Sequence, residues 1–256
     1  NAVGLRRAGF SREALTELIS RYQRRVTVAC FASTLPRVAT IAHAALAHFR
    51  SELAARGLGA LKLVLAGHSE GAVVASVIAA EGAVADGVVL LSGPSTGILS
   101  IMIEQSRGML PPGASEEPVK LLEEIVAHIR KDGTVPDALR AKANGSFGAG
   151  ALAAMPPDAI AYMRACDATD PMATIAAYAG PVLIVQGGED SSVPAHHAEA
   201  FRAARRSRPT TYAYFDGLSH MYKRVPDGTS PMEAFGLAGP TDPRVAAAID
   251  NFVRTL

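Results

Sequence analysis

Three observations predict an α/β domain built on a mostly parallel sheet flanked by helices. Apolar segments of strand length alternate with apolar-striped segments of helix length along most of the 256 residues. The alternation is interrupted once, between about 96 and 170, by helical patterns without strand signals. And Gly67-His68-Ser69-Glu70-Gly71 lies directly between an apolar strand and an apolar helix, the place where a parallel α/β sheet presents its chemistry.

The elements follow in order. Ser11–Tyr22 reads as a helix, with Ser11 as N-cap and Leu15, Leu18, Ile19 and Tyr22 at helical spacing. Residues 25–32 read as a strand and 38–55 as a helix, whose inward face carries Val38, Ile41, Ala42, Ala45, Leu46, Phe49 and Leu53 and whose stop is Gly57. A strand over 61–66, a helix over 70–80 and a strand over 87–92 come next. Residues 96–170 hold Pro111-Pro112-Gly113, an amphipathic stretch from Glu116 to Lys131, the Asn144–Gly148 loop and Pro156-Pro157; they are expected to form a helical cap inserted between two core strands. Asp170-Pro171 caps a short helix back to the sheet. A strand over 181–186, a helix over 195–206, a strand over 210–215 and a helix over 243–255 complete the core. The expected organisation is therefore a core of 1–95 and 171–256 with a cap of 96–170.

The five-residue motif has the form of a nucleophile elbow. A sharp strand-to-helix turn forces the central serine into a strained conformation and requires very small residues two before and two after it, here Gly67 and Gly71. The turn would lift the Ser69 hydroxyl above the sheet and aim the Glu70 backbone N–H at an oxyanion formed there. A serine hydroxyl is a weak nucleophile at neutral pH and needs a histidine to take its proton and a carboxylate to hold the imidazole. Two strand ends further along carry those groups: Pro181–Asp190, which ends in Glu189-Asp190, and Tyr212–His220, which ends in Gly217-Leu218-Ser219-His220. Either carboxylate could serve as the acid. Asp216 is read as a turn residue, His68 as structural, His196 and His197 as surface or capping residues, and His43 and His48 as solvated.

The chain resembles the α/β-hydrolase superfamily, closest to bacterial serine-esterase-like members with a Gly-His-Ser-Glu-Gly elbow. The elbow carries this resemblance together with Leu90–Pro94, Asp170-Pro171, the Gln186-Gly187, Asp190 and Val193-Pro194 run, and Gly217–Met221. It implies the catalytic order Ser69, Asp190, His220 and favours Asp190 over Glu189. It implies a serine hydrolase that cleaves a small or medium apolar carboxylic ester through an acyl-enzyme, with no cofactor and no metal. A thioesterase or peptidase would use the same parts, and a non-catalytic ligand-binding homologue is the reading from another class. The family carries further strands and an oxyanion loop before its first helix, whereas here Ser11–Tyr22 already matches that helix and the chain starts at Asn1. N-terminal strands are therefore expected to be missing, and the second oxyanion donor to fall among residues 1–10.

Composition narrows the partners. A formal net charge of +1 argues against nucleic acid, and no apolar run reaches the length of a membrane span. Two cysteines, Cys30 and Cys166, read as buried thiols, and no Cys/His spacing suggests a metal site. No signal peptide is visible, but the start at Asn1 makes that absence say little about compartment, which stays open with a cytoplasmic location slightly favoured; the oligomeric state is not read from the sequence. The expected partner is a small-molecule acyl substrate. The apolar stretch Ile98–Leu110 lies near the elbow in sequence, and Met102, Met109 and Leu110 are its candidate substrate-binding residues, with Phe147 and Met155 as weaker ones.

Overall fold

Short runs rich in Val, Leu and Ile, with polar residues only at their ends, are what a parallel sheet covered on both faces demands. The computed structural model describes residues 26–29, 35–82, 85–111, 113–146 and 148–256. The helix expected over Ser11–Tyr22, residues 1–10, Cys30 and Phe147 lie outside them.

The strands are β1 (Val26–Ala29), β2 (Leu63–His68), β3 (Gly87–Leu91), β4 (Val182–Gly187) and β5 (Thr210–Phe215). They form one sheet in the order β1-β2-β3-β4-β5 with every pair parallel. Alternate side chains of the central strands enter two different clusters. Leu63, Leu65, Val88, Leu90, Val182 and Ile184 pack with residues of helices α1 (Leu35–Ala55), α2 (Glu70–Ala80), α8 (Pro171–Ala177) and α9 (His196–Ala204). Val64, Ala66, Val89, Leu183 and Val185 pack with Val245, Phe252 and Val253 of α11 (Pro243–Arg254). Strand β5 lies at the edge and is only half-buried.

Two expectations shift in register. Helix α1 begins at Leu35 rather than 38, and Ala45, expected on its inward face, is exposed, whereas Leu46 and Leu53 are buried. The second strand runs from Leu63 to His68 rather than over 61–66, because its pairing with β3 continues through Gly67 and His68 up to the turn itself.

Between β3 and β4 the chain is helical: α3 (Ile98–Gly108), α4 (Glu117–Asp132), α5 (Asp137–Ala143), α6 (Ala149–Ala153), α7 (Pro157–Asp167) and then α8. Leu99, Leu122, Ile125, Ile129, Leu139, Leu152 and Ile160 of these helices build a third cluster, joined by Val135 between α4 and α5. Asp170 does cap α8, its carboxylate accepting the Met172 and Ala173 N–H groups at 3.0 Å. The return to the sheet is stapled by Arg205, a fully buried guanidinium that donates to the carbonyls of Ile175, Tyr178, Gly180 and Pro209. Burial lowers its pKa to about 10. These four carbonyls and the Thr210 hydroxyl, which accepts from Nε at 3.2 Å, solvate the charge, so it holds the loop by geometry rather than by an ion pair.

Candidate active site

Ser69 is the hinge between β2 and α2. Its backbone sits at φ 55° and ψ −124°, a left-handed conformation that a residue with a Cβ adopts only under constraint. The constraint is visible on both sides. The Ser69 N–H donates to the Leu91 carbonyl at 2.8 Å, and the Ser69 carbonyl accepts the Ala72 N–H at 2.9 Å. A Cβ added at Gly67 would lie 1.9 Å from the Gly71 carbonyl oxygen, so only glycine permits the turn to close. A serine at a helix N-cap ordinarily folds its hydroxyl back onto the first turn. Ser69 makes no such capping bond, which leaves its oxygen for other work, while the Glu70 N–H opens α2 beside it.

Asp190 follows β4 in a tight loop. Its carboxylate is fully buried and accepts the N–H groups of Ser192 at 3.0 Å and Val193 at 2.8 Å. His220 donates to it from Nδ1, 2.9 Å from Oδ2 and 3.1 Å from Oδ1. Glu189 is exposed, and its main-chain N–H donates to the Leu218 carbonyl instead. Of the two carboxylates open to choice from the sequence, Asp190 is the one that meets His220. The β4 end and the histidine loop pass closely: a Cβ at Gly187 would stand 2.5 Å from the Leu218 oxygen.

His220 is held from three directions. Asp190 holds Nδ1. The neighbouring Tyr222, buried and at φ 54°, accepts the Ser92 hydroxyl at 2.8 Å and donates to the Val185 carbonyl at 3.1 Å, which pins the loop to the ends of β3 and β4. Burial pushes the Tyr222 hydroxyl pKa far up, so it remains a donor. On the third side His68 donates from Nε2 to the His220 carbonyl at 2.9 Å, with ring centroids 4.5 Å apart. Burial first, and the adjacent His220 second, lower the His68 pKa. His68 is thus the link between the elbow and the histidine loop.

The helical segment reaches the site at two points. Tyr162 of α7 donates its hydroxyl to the Glu70 carboxylate; burial, before the carboxylate itself, raises the Tyr162 pKa and keeps the proton on it. Gln105 of α3 donates to the Ser192 carbonyl at 2.9 Å, beside Asp190. Met102 and Met109 line a cavity of about 560 Å³ together with Gln105, Ser106, Asn144 and Ser146. Leu110 is half-buried and is not among its lining residues.

His197 corrects the sequence reading. It is fully buried rather than a surface or capping residue. Its Nδ1 accepts the Ser95 N–H at 3.1 Å and the Ser95 hydroxyl at 2.9 Å, which places the ring proton on Nε2, where it donates to Glu104 at 3.0 Å. The exposed His196 meets the same carboxylate at 3.3 Å. These three residues bring ligand atoms within 4.8 Å of one another, among the described residues the only such group. A metal on Nε2 would require that nitrogen to lose its proton and Nδ1 to gain one facing the Ser95 N–H, so the arrangement fits a hydrogen-bond network better than a metal centre.

Sequence reasoning missed His197, Ser92, Tyr222, Tyr162 and the side chain of Phe235, whose ring lies 6.4 Å from that of His220 and 17° from parallel. Ser92 lies within the Leu90–Pro94 run but was given no role there, the others sit in no motif, and each matters through a partner elsewhere in the chain. The expected second oxyanion donor, placed among residues 1–10, lies outside the described residues.

Among the described residues no helix is long and apolar enough to cross a membrane. Comparison with solved structures finds a Pyrococcus furiosus esterase, PF2001, at 11% identity and a TM-score of 0.49, covering 87% of this chain and 63% of that one. An esterase from Rhodococcus sp., RhEst1, is similar at 20% identity and a TM-score of 0.42, covering 80% and 69%. A Paleococcus ferrophilus monoacylglycerol lipase is similar at 18% identity and a TM-score of 0.44, covering 84% and 75%. The chain thus spans less than two thirds of the first of these proteins. No curated protein matches it. A profile of the Alpha/beta hydrolase family matches residues 4–235, nearly the whole sequence, and the chain belongs to that family.

Proposed function

We infer that the protein is a serine hydrolase acting on small or medium apolar carboxylic esters through an acyl-enzyme. The observation that carries this is the buried Asp190–His220 pair tied through His68 to a strained serine whose hydroxyl does not cap its own helix. Ser69 attacks the ester carbonyl while His220 Nε2 takes its proton; Nδ1 is occupied by Asp190, which fixes the tautomer and stabilises the imidazolium. The Glu70 N–H, at the positive end of α2, receives the developing oxyanion. His220 then gives its proton to the departing alcohol and later activates the water that releases the acid. Residues 96–170 act as the cap, with Met102 and Met109 as walls for the acyl chain. No cofactor takes part.

The test is covalent labelling. A fluorophosphonate should modify Ser69 as seen by peptide mass, and Ser69→Ala should abolish both labelling and ester turnover while leaving the melting temperature close to the parent's. Labelling at another residue, or turnover retained in Ser69→Ala, overturns the assignment.

A further inference from the structure

Residues 221–242 lie beyond the last strand, start directly after His220 and end beside Tyr222, at the start of α11. The Asp242 N–H donates to the Tyr222 carbonyl at 2.8 Å, Leu218 bridges to Arg224, and the Lys223 ammonium donates to the Leu237 carbonyl across the loop. Within the excursion sits helix α10 (Pro231–Phe235), which buries only Ala234. One turn of helix is unstable by itself. This one is locked by a reciprocal capping box: the Ser230 hydroxyl accepts the Glu233 N–H, and the Glu233 carboxylate accepts the Ser230 N–H at 2.9 Å. Pro231 pre-sets its first turn.

So much local order around so little buried surface calls for another use, and the side chains it presents supply one. Phe235 is 53% exposed, Met232 51% and Met221 40%. Met232 and Phe235 are three apart and share a helix face. The Phe235 ring stacks toward the His220 ring at 6.4 Å and 17° from parallel. With Nδ1 bound to Asp190, the other nitrogen of that ring is the one that transfers protons. During acylation the Ser69 Oγ–carbonyl carbon bond forms, the bond from that carbon to the alcohol oxygen breaks, and its electron pair stays with the oxygen, which takes the proton from His220 Nε2. The alcohol half of the ester must therefore sit against the His220 ring as it departs.

Resting on the serine-hydrolase reading, we propose that Phe235, with Met232 and Met221, forms the leaving-group subsite and selects esters whose alcohol half is apolar and aromatic. An aryl alcohol gains an offset-stacked or edge contact with Phe235 that a short alkyl alcohol cannot make. The subsite acts on acylation only, since the acyl-enzyme no longer carries the alcohol.

The experiment compares phenyl acetate with ethyl acetate, which share an acyl group, and phenyl acetate with phenyl butyrate, which share a leaving group. In Phe235→Ala the ratio of kcat/KM for phenyl over ethyl acetate should fall about three- to tenfold, the range expected for one aromatic contact. Phe235→Trp should restore it. The phenyl acetate to phenyl butyrate ratio should stay within about twofold, far less than a change in an acyl pocket would give. Equal losses on phenyl and ethyl acetate, or a shift in acyl preference instead, overturn the proposal. Because Phe235 is more than half exposed, the variant should fold, and its melting curve checks this. Ser69 labelling run on the same samples separates the two readings: an unlabelled Ser69 overturns the hydrolase assignment, whereas a labelled Ser69 with an unchanged phenyl/ethyl ratio overturns the subsite alone.

Discussion

His68 donates its Nε2 proton to the main-chain oxygen of His220 across 2.9 Å, joining the residue before the proposed nucleophile, Ser69, to the residue proposed as its base. The bond needs His68 neutral at Nδ1 or at least protonated at Nε2, and burial favours the neutral ring. It sets the distance between two loops that no shared strand connects.

Removing that bond should therefore act through His220 rather than through substrate binding. His68→Phe keeps a ring but no donor. We expect kcat to fall about tenfold, the value of roughly one hydrogen bond, with KM nearly unmoved. His68→Gln, which can still donate, should recover part of the loss. A change in KM alone would show that His68 acts on the substrate instead.

The choice of carboxylate is open to a paired test. Asp190→Asn should leave His220 in the wrong tautomer and lower kcat by roughly 10⁴. Glu189→Gln should change it by less than about twofold, because Glu189 is exposed and meets the histidine loop only through its main chain. The reverse order of losses would assign the acid to Glu189.

Bulk in the cavity beside α3 should tune acyl-chain preference. Met102→Phe or Met109→Phe should shift kcat/KM toward shorter p-nitrophenyl esters, with about 1–3 kcal/mol of selectivity for each methylene that no longer fits. An unchanged chain-length profile in both variants would place the acyl pocket elsewhere.

Stability should fall on mild acidification. Burial first holds the His197 pKa below the ordinary histidine value of 6.5, and the same cause acts at His68. A group depressed in the folded state binds its proton more readily when unfolded. Its contribution is complete above about pH 6.5 and is lost as pH drops through the window beneath that value, with a slope of up to about 1.4 kcal/mol per pH unit for each histidine. Carboxylates titrate mainly below this window. Denaturant unfolding between about pH 7 and 5 should show the slope, and His197→Asn should reduce it. An identical slope in the variant would mean that His197 is already protonated in the folded protein.

Local constraint was legible in the sequence. Gly67 and Gly71 around Ser69 mark a turn that only small residues allow, and the apolar runs through Leu63–Ala66, Val88–Leu90 and Val182–Val185 mark strands buried on both faces, since solvent on either side would have left alternating polar positions. The order of Ser69, Asp190 and His220 could be read, but Asp190 stood out from Glu189 only through resemblance. Tertiary structure decided what depends on distant partners. It turned Asp190 inward and Glu189 outward, buried His197 against Ser95 and Glu104, tied Tyr222 to Ser92, and brought Phe235 beside His220. Apart from the approach of the Phe235 ring, those choices follow from where buried polar groups find their hydrogen bonds. That information is spread over residues tens of positions apart, and no periodicity or short motif records it.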